Sequence, residues 1–294
     1  MAGSIHDVDD LMQDAMLRAW RGLASFQQRS SLRTWLYKVT ASACLDALDK
    51  KAVRQRPSDL GPPGGGDFAM RQEPVWIEPC PDELVDVAPS PEARYTSHES
   101  VSLAFLALLQ HLPPKQRVVV VLRDVLGWEA AECAELLDTS VASVTSALQR
   151  GRETLAARAD AVRAPAPPTA PIAELLERYV RAWESVDVQA LVALLGEDAA
   201  LTMPPITTWL VGREAIGASL AGMILTPAAR GNLELVPTTA NGRPAFAAYQ
   251  RDETGVLQAS ALQLLTIDGD QIIAIDAFLD PSLFACFGLP MQLA

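Results

Sequence analysis

The amino-acid sequence predicts a multidomain protein: two all-α domains, the second containing a helix-turn-helix, followed by an α+β domain. Apolar residues recur at helical spacing in the first half of the chain, whereas beyond residue 200 they alternate in short runs typical of strands. Two proline-rich segments interrupt these patterns. The predicted domains are 1–56, 101–163 and 172–294, joined by linkers at 57–100 and 164–171.

The composition limits the classes of function. A chain of 294 residues is long enough for two or three domains, and a hydrophobic content of 49% supports packed cores. Apolar runs of membrane-spanning length and a basic-then-apolar leader are both missing, so we expect no membrane partner. The four cysteines lack CxxC or metal-like spacing, which predicts free thiols, no metal and a cytoplasmic protein.

The chain opens with two amphipathic helices over residues 7–46, joined by a short polar loop. Each helix carries an apolar stripe that we expect to be buried, and Ser31 is the predicted N-cap of the second helix. The predicted stripes are Val8, Leu11, Met12, Ala15 and Ala19 in the first helix, and Leu32, Leu36, Val39 and Ala43 in the second.

Basic and aromatic side chains are concentrated on the second helix and its exit. The basic residues are Arg29, Arg33, Lys38, Lys50, Lys51, Arg54 and Arg56, and Trp35 and Tyr37 lie among them. This combination suits single-stranded nucleic acid, because aromatic rings stack on bases while cations neutralise phosphates. The alternative is an ordinary pair of helices with charged faces.

The segments DDLMQDAMLRAW and SLRTWLYKVTASACLDAL resemble region two of bacterial extracytoplasmic-function sigma factors, in both helices and in their separation. The resemblance implies that the first helix binds the clamp of core RNA polymerase. It also implies that the second melts and reads the promoter around the minus-ten element. The implied polymerase-binding residues are Asp10, Gln13, Asp14 and Leu17, and the implied DNA-binding residues are Arg33, Trp35, Lys38 and Ser42. Ser42 stands where asparagine is common in the family.

Region two of this family begins one or two helices before the Asp-Asp-Leu-x-Gln motif, whereas only MAGSIHDV precedes the motif here. We therefore expect region two to be N-terminally incomplete, through a misplaced start codon or a genuine truncation. Leu11, Met12 and Trp20 would then lack part of their cover, at about 1.5–3 kcal/mol for each such side chain.

The linker at 57–100 is rich in proline and glycine. Its first part, PSDLGPPGGG, favours neither helix nor strand. Farther along, Trp76, Pro79, Pro81 and Asp82 form a segment that resembles the linker of sigma factors with an additional C-terminal domain. We expect Trp76 to dock on the polymerase or on this chain's own C-terminal domain; a plain surface contact is equally consistent with the sequence.

The domain at 101–163 is predicted to contain four helices, the last two forming a helix-turn-helix. Asp138 and Thr139 make the turn, where aspartate accepts a left-handed backbone conformation. The predicted core stripes are Val118, Leu122, Val125 and Leu126 in the second helix, and Val141, Val144, Leu148 and Leu155 in the fourth.

The outer face of the fourth helix carries hydroxyl, amide and guanidinium groups that can contact base edges and phosphates. These DNA-binding candidates are Ser143, Thr145, Ser146, Gln149, Arg150 and Arg152. The segment from Leu112 to Leu155 resembles sigma region four, which implies that this face reads the minus-thirty-five element and that the domain contacts the polymerase flap. Thr145 departs from the lysine or asparagine often found there.

The last domain is predicted to place two helices before a strand, a further helix and four strands of a curved antiparallel sheet. Asn241-Gly242 and Asp268-Gly269 are its hairpin turns. This order, with VGREAIGASL after the first strand, resembles a SnoaL-like domain of the NTF2-like superfamily, an α+β cone that closes an apolar pocket. The predicted pocket residues are Tyr179, Met203, Trp209 and Phe246; simple core packing is the alternative for all four.

Catalysis in this pocket is not expected. Ketosteroid isomerases of the superfamily use an aspartate directly before a proline as general base, and Met203 stands before Pro204 here. A tyrosine such as Tyr179 cannot abstract a proton without that base. Asp276 and Asp280 are expected to cap helices or face solvent. The sequence thus predicts a protein that is not an enzyme and uses no cofactor.

The order of region two, linker and region four predicts an RNA polymerase sigma factor with promoter DNA and core polymerase as partners. The additional domain is expected to regulate it in cis. A net charge of −12 is unfavourable for binding free DNA, so we expect the polymerase to be required. Three alternatives stay open: a regulator that senses an unknown small ligand in the terminal pocket, a fused isomerase or cyclase, and a truncated sigma-like decoy.

Overall fold

The computed structural model describes residues 2–26, 31–50, 53–64, 68–71, 75–84, 103–159 and 172–293. The chain forms two compact units. The helical unit comprises Met1–Gln55, Ile77–Cys80 and Val85–Arg163, and the C-terminal unit comprises Arg56–Trp76, Pro81–Leu84 and Ala164–Ala294. The segment predicted as the first linker is therefore divided between the two units. Arg29, Lys51 and the predicted linker at 164–171 lie outside the described residues.

The first helical pair consists of α1 (Ile5–Leu23) and α2 (Leu32–Leu48). The predicted cap is confirmed, since the Ser31 side chain accepts a hydrogen bond from the backbone amide of Thr34. The two helices approach closely at Gly22, where an added Cβ would lie 3.1 Å from the Trp35 ring.

The predicted burial of the apolar stripes on α1 and α2 is wrong at several positions. The exposed members are Val8, Met12, Leu32 and Leu36. The stripe residues that are buried are small, Ala15 and Ala43. Because the helices meet through small residues, the larger apolar side chains lie beside the contact rather than within it.

The rest of the helical unit contains α3 (Leu103–Gln110), α4 (Pro114–Val120) with a π-helical turn at Val121–Val125, α5 (Ala130–Leu136) and α6 (Val141–Ala159). Helix α5 begins two residues later than the predicted helix at 128–137, because Glu129 and Glu132 form a capping box at its start. Asp138 has a φ of 47°, which confirms the left-handed turn between α5 and α6.

The core of these helices includes Leu109, Val120, Cys133 and Val144. Helix α2 packs against the same core through Tyr37, Ala41 and Leu45. Two residues predicted to face inward, Leu126 and Val141, are exposed. Each lies at the end of its helix, beyond the turns that contact the core.

The C-terminal unit contains α7 (Ile172–Glu184), α8 (Val188–Val192), α9 (Arg213–Met223) and α10 (Leu283–Cys286). Its strands are β1 (Leu195–Thr202), β2 (Leu210–Val211), β3 (Leu233–Ala240), β4 (Arg243–Arg251), β5 (Leu257–Asp268), β6 (Gln271–Phe278) and β7 (Gln292–Leu293). They form one sheet in the order β2-β1-β6-β5-β4-β3, with β7 paired to β5.

The sheet is mixed rather than antiparallel throughout. Strand β1 runs parallel to β6, with Leu201 opposite Ile275. The four strands predicted to form an antiparallel sheet, β3 to β6, are each antiparallel to their neighbours, which confirms that prediction. Strand β1 runs parallel to β6 because a long connection through α9 and β3–β5 joins them, whereas a hairpin would have made them antiparallel. The predicted hairpin turn between β3 and β4 is confirmed, with positive φ at Asn241 and Gly242.

The predicted fold class is confirmed: helical domains precede a C-terminal α+β domain. A core of apolar residues from α7, α9 and the sheet fills the C-terminal unit. Within the described ranges, none of the helices has the length and apolar character needed to cross a membrane.

Candidate nucleic-acid interface

Helix α2 presents the predicted minus-ten residues on a partly basic surface. Arg33, Lys38 and Ser42 are exposed, and Trp35 is half-buried. The Trp35 ring packs against the Phe26 ring, with centroids 5.1 Å apart, and against Gly22 of α1. Trp35 is therefore held by the first helical pair, whereas Arg33, Lys38 and Ser42 are exposed to solvent.

In the helical unit, the same surface of α2 lies against the helix-turn-helix. Lys38 Nζ lies 2.8 Å from a carboxylate oxygen of Asp138, at the turn between α5 and α6. The Tyr37 ring meets the edge of the Trp128 ring with centroids 4.9 Å apart, and the Arg33 guanidinium lies over the Tyr37 ring at 5.8 Å. DNA that uses Lys38 must therefore replace Asp138 as its partner, at a cost of about 0–1 kcal/mol for an exposed pair.

Helix α6 presents all six predicted minus-thirty-five residues to solvent. They are Ser143, Thr145, Ser146, Gln149, Arg150 and Arg152. Two of them are engaged within the helix: the Thr145 hydroxyl donates to the Val141 carbonyl, and the Gln149 amide donates to Glu153.

The two arginines of this face differ in their environment. Arg152 binds Asp124 with two nitrogens, at 2.6 and 3.1 Å, and these hydrogen bonds raise the pKa of Arg152. Arg150 forms no salt bridge with any residue in the described part of the chain. The Arg150 guanidinium is thus open to solvent, whereas Arg152 is held in place by Asp124 of the π-helical turn that follows α4.

Helix α1 exposes most of the predicted polymerase-binding residues. Asp10, Gln13 and Leu17 are exposed, whereas Asp14 is half-buried and pairs with Arg18 at 2.7 Å. Arg18 also binds Asp46 of α2, and the hydrogen bonds to Asp46 and Asp14 raise the pKa of Arg18. Asp14 therefore contributes to joining the helices. Trp20 is 78% exposed, which adds a large apolar group to this surface.

Sequence reasoning missed the residue that anchors the start of α1. The Glu78 carboxylate accepts hydrogen bonds from the Ser4 hydroxyl at 2.7 Å and the Ile5 amide at 3.0 Å. Arg54, at the exit of α2, binds both Glu78 and Asp7. A carboxylate at a helix N-terminus is favoured by the helix dipole, but a separation of more than seventy residues leaves no local signal for it.

The C-terminal unit contains a cavity of about 650 Å3. Of the four predicted pocket residues, Met203 lines it. Tyr179 and Phe246 are buried core residues with ring centroids 5.5 Å apart, and burial raises the pKa of Tyr179. Trp209 is half-buried and donates its indole N–H to the carbonyl of Gly61.

The carboxylates late in the sheet are engaged away from the cavity. Asp276 accepts a hydrogen bond from the Thr202 hydroxyl, and Asp280 accepts from the Ser282 amide at the start of α10. Neither lines the cavity. Among the residues that the structure describes, no group of three or more histidine, cysteine or acidic side chains is arranged to hold a metal ion.

The chain is similar to known proteins along its length. Residues 1–54 match the family profile Sigma-70 region 2, residues 102–155 match Sigma-70, region 4, and residues 176–275 match the SnoaL-like domain.

Two curated relatives and one crystal structure illustrate the similarity. The chain is 41% identical over 300 residues to the ECF RNA polymerase sigma factor SigG of Mycobacterium tuberculosis, covering 100% of this chain and 80% of SigG. It is 28% identical over 157 residues to SigW of Bacillus subtilis, covering 53% of this chain and 76% of SigW. The crystal structure of Mycobacterium tuberculosis SigJ matches with a TM-score of 0.61 at 23% identity, over 99% of this chain and 93% of SigJ.

Proposed function

Since the chain belongs to the extracytoplasmic-function sigma factors of RNA polymerase, we infer that it directs transcription initiation. It does so by binding core polymerase and recognising the minus-ten and minus-thirty-five promoter elements. The observation that carries this proposal is the solvent-facing α6 surface, where Arg150, which has no salt-bridge partner in the part of the chain that the structure describes, stands beside hydroxyl and amide side chains. Such a surface on a helix-turn-helix is suited to reading the major groove.

The exposed side chains of α1, α2 and α6 make the contacts with polymerase and DNA in this proposal. On α1, Asp10, Gln13 and Leu17 contact the polymerase clamp, while Asp14 positions the helix through Arg18. On α2, the aromatic and basic group at Trp35 and Lys38 contacts the opened minus-ten strand. The minus-thirty-five element is read by α6.

The C-terminal domain regulates these activities in cis. Support comes from the parts of the linker that belong to the C-terminal unit. Gly64 donates its amide to the Trp209 carbonyl at 2.8 Å, and the Gly242 amide donates to Asp82 at 2.7 Å. The C-terminal domain therefore binds part of the linker that connects the two promoter-reading regions. A conformational change in the domain would alter the conformation of that linker.

The domain acts without catalysis. Met203 stands in the position of the general base and is buried, and Asp276 and Asp280 are engaged in hydrogen bonds of the scaffold. Turnover of a ketosteroid or polyketide substrate by the full chain would contradict the proposal that the domain acts without catalysis.

A polymerase subunit that recognises promoters works in the cytoplasm, so we infer that the protein is cytoplasmic.

The first experiment is direct binding of the full chain to bacterial core RNA polymerase, followed by transcription from a selected promoter. We expect saturable binding, weakened by Asp10→Lys and unchanged by Glu177→Lys, a matched reversal of an exposed carboxylate on α7. Failure of the wild-type chain to bind would contradict the proposed function.

Removal of Ile172–Ala294 is expected to change transcription output, and identical output would contradict regulation in cis.

A further inference from the structure

A cleft between α2 and α5 has the volume of a small-molecule site. Both helices belong to the helical unit, and the cleft encloses about 520 Å3, within the usual range of about 300–1,000 Å3 for ligand sites. Its lining includes Arg33 and Tyr37 of α2, Trp128 just before α5, and Glu132 and Glu135 of α5. This α2–α5 cleft therefore combines aromatic rings with charges of both signs.

The aromatic rings of the α2–α5 cleft suit a planar ligand. Tyr37 and Trp128 meet edge to face with ring centroids 4.9 Å apart, and both side chains are half-buried. Each ring therefore keeps part of its surface for a ligand in the cleft. Nucleobases stack on such rings whatever their identity, so the rings predict a planar heterocycle without selecting one.

The charged side chains of the cleft are held apart from one another. Arg33 lies over the Tyr37 ring at 5.8 Å and forms no salt bridge with any residue that the structure describes. Glu132 accepts a hydrogen bond from the Glu129 amide at 2.7 Å, in the capping box of α5. The Glu135 carboxylate has neither a hydrogen bond nor a salt bridge within the described ranges. Arg33 and Glu135 are thus both available to a ligand that lies between them.

Guanine is the nucleobase whose edges match these two groups. Its O6 and N7 are adjacent acceptors that take two hydrogen bonds from an arginine guanidinium. Its N1–H and its exocyclic amino group are adjacent donors, which a carboxylate can accept with both oxygens. Adenine and cytosine offer a carboxylate a single amino group and no neighbouring ring N–H. Guanosine is also neutral, so the net charge of −12 on the chain does not repel it.

We propose that the α2–α5 cleft binds the guanine base of a free nucleoside. The base stacks on the rings of Tyr37 and Trp128. Arg33 donates to O6 and N7, and Glu135 accepts from N1 and the amino group. The site goes beyond promoter recognition and does not depend on it, because binding can be measured without polymerase or DNA.

The first test is isothermal titration calorimetry of the full chain with guanosine and three analogues. Guanosine is expected to bind saturably at one site. Inosine lacks the exocyclic amino group and 7-deazaguanosine lacks the N7 acceptor, so each should bind about tenfold more weakly. Adenosine should bind more weakly still. No saturable binding of guanosine would overturn the proposal, and so would equal affinities for guanosine, inosine and adenosine, which would indicate stacking without recognition of the base edges.

Two matched pairs of variants locate the base. All four side chains are exposed, so each variant should stay folded. Arg33→Gln and Glu135→Gln should each weaken guanosine binding about tenfold. Their controls, Arg21→Gln on α1 and Glu177→Gln on α7, should leave it unchanged. Unchanged affinity in both cleft variants, or equal losses in the controls, would place guanosine elsewhere and overturn the proposal.

A single-stranded oligothymidine with one central dG separates the two sources of a guanine base. Because the cleft is assigned to a free nucleoside, Glu135→Gln should leave the affinity for this strand unchanged while it weakens the binding of guanosine. An equal or larger loss of strand affinity in Glu135→Gln would assign the cleft to single-stranded nucleic acid and overturn the proposal.

Discussion

Replacement of Arg150 by alanine tests the assignment of α6 as the minus-thirty-five reader. Arg150 is exposed on the outer face of the helix, and the described residues provide no salt-bridge partner for it. Arg152, two residues on, binds Asp124 with two nitrogens. The helix therefore supplies its own control: two arginines on one surface, one available and one already paired.

The expected magnitudes differ accordingly. An arginine that binds a guanine edge with two hydrogen bonds contributes about 1–3 kcal/mol, so Arg150→Ala should lower affinity about 5- to 150-fold. Arg152 must give up Asp124 before it can bind DNA, and exposed ion pairs of this kind contribute about 0–1 kcal/mol. Arg152→Ala should therefore reduce affinity less than about fivefold.

The assay is fluorescence anisotropy of the polymerase holoenzyme on labelled duplexes that carry the minus-thirty-five element, at several salt concentrations. Loss of a base contact changes the preference among promoter sequences, whereas loss of a phosphate contact reduces the slope of log affinity against log salt by about one. Alanine has a high helix propensity and an exposed ion pair contributes only about 0–1 kcal/mol, so both variants should stay folded.

Two results would refute the reasoning. Unchanged affinity and unchanged sequence preference in Arg150→Ala would remove this side chain from the interface. A larger loss in Arg152→Ala than in Arg150→Ala would show that the Asp124 pair does not limit the use of Arg152 by DNA.

Three further predictions concern the scaffold. Glu78→Gln keeps an acceptor oxygen but loses the charge that faces Arg54 and the start of α1, so thermal unfolding should show a loss of about 1–2 kcal/mol; an unchanged melting temperature would contradict this. Asp138→Asn removes the partner of Lys38, so the free chain should bind a single-stranded minus-ten oligonucleotide up to about fivefold more tightly, and equal affinity would show that the pair does not compete with DNA. Burial raises the pKa of Tyr179 above its ordinary 10.0, so the folded state holds a proton that the unfolded state releases; stability from this group is present below pH 10 and is lost above it. Alkaline melting curves should show this loss in the wild type and a smaller one in Tyr179→Phe.

Local features of the protein could be predicted from neighbouring residues alone. The cap at Ser31, the left-handed turn at Asp138 and the Asn241-Gly242 hairpin each depend on a few adjacent residues, and the structure confirms all three. The fold class followed from the spacing of apolar residues, because buried apolar residues recur at one spacing in helices and at another in strands. The candidate DNA-binding residues on α6 followed in the same way, as the residues opposite an apolar stripe.

Only the tertiary structure decided which of these groups are free and which are engaged. The Lys38–Asp138 pair joins residues 100 positions apart, and the Tyr179–Gln263 hydrogen bond joins residues 84 positions apart. The exposure of Val8 and Met12, predicted to be buried, depends on which helix faces meet. Periodicity identifies the apolar face of a helix but not its partner, because packing is set by shape and contact between distant segments. The sequence by itself therefore determined the family, the element types and the candidate surfaces; the tertiary structure decided the pairing of Arg152, the anchoring of α1 by Glu78 and the lining of the α2–α5 cleft.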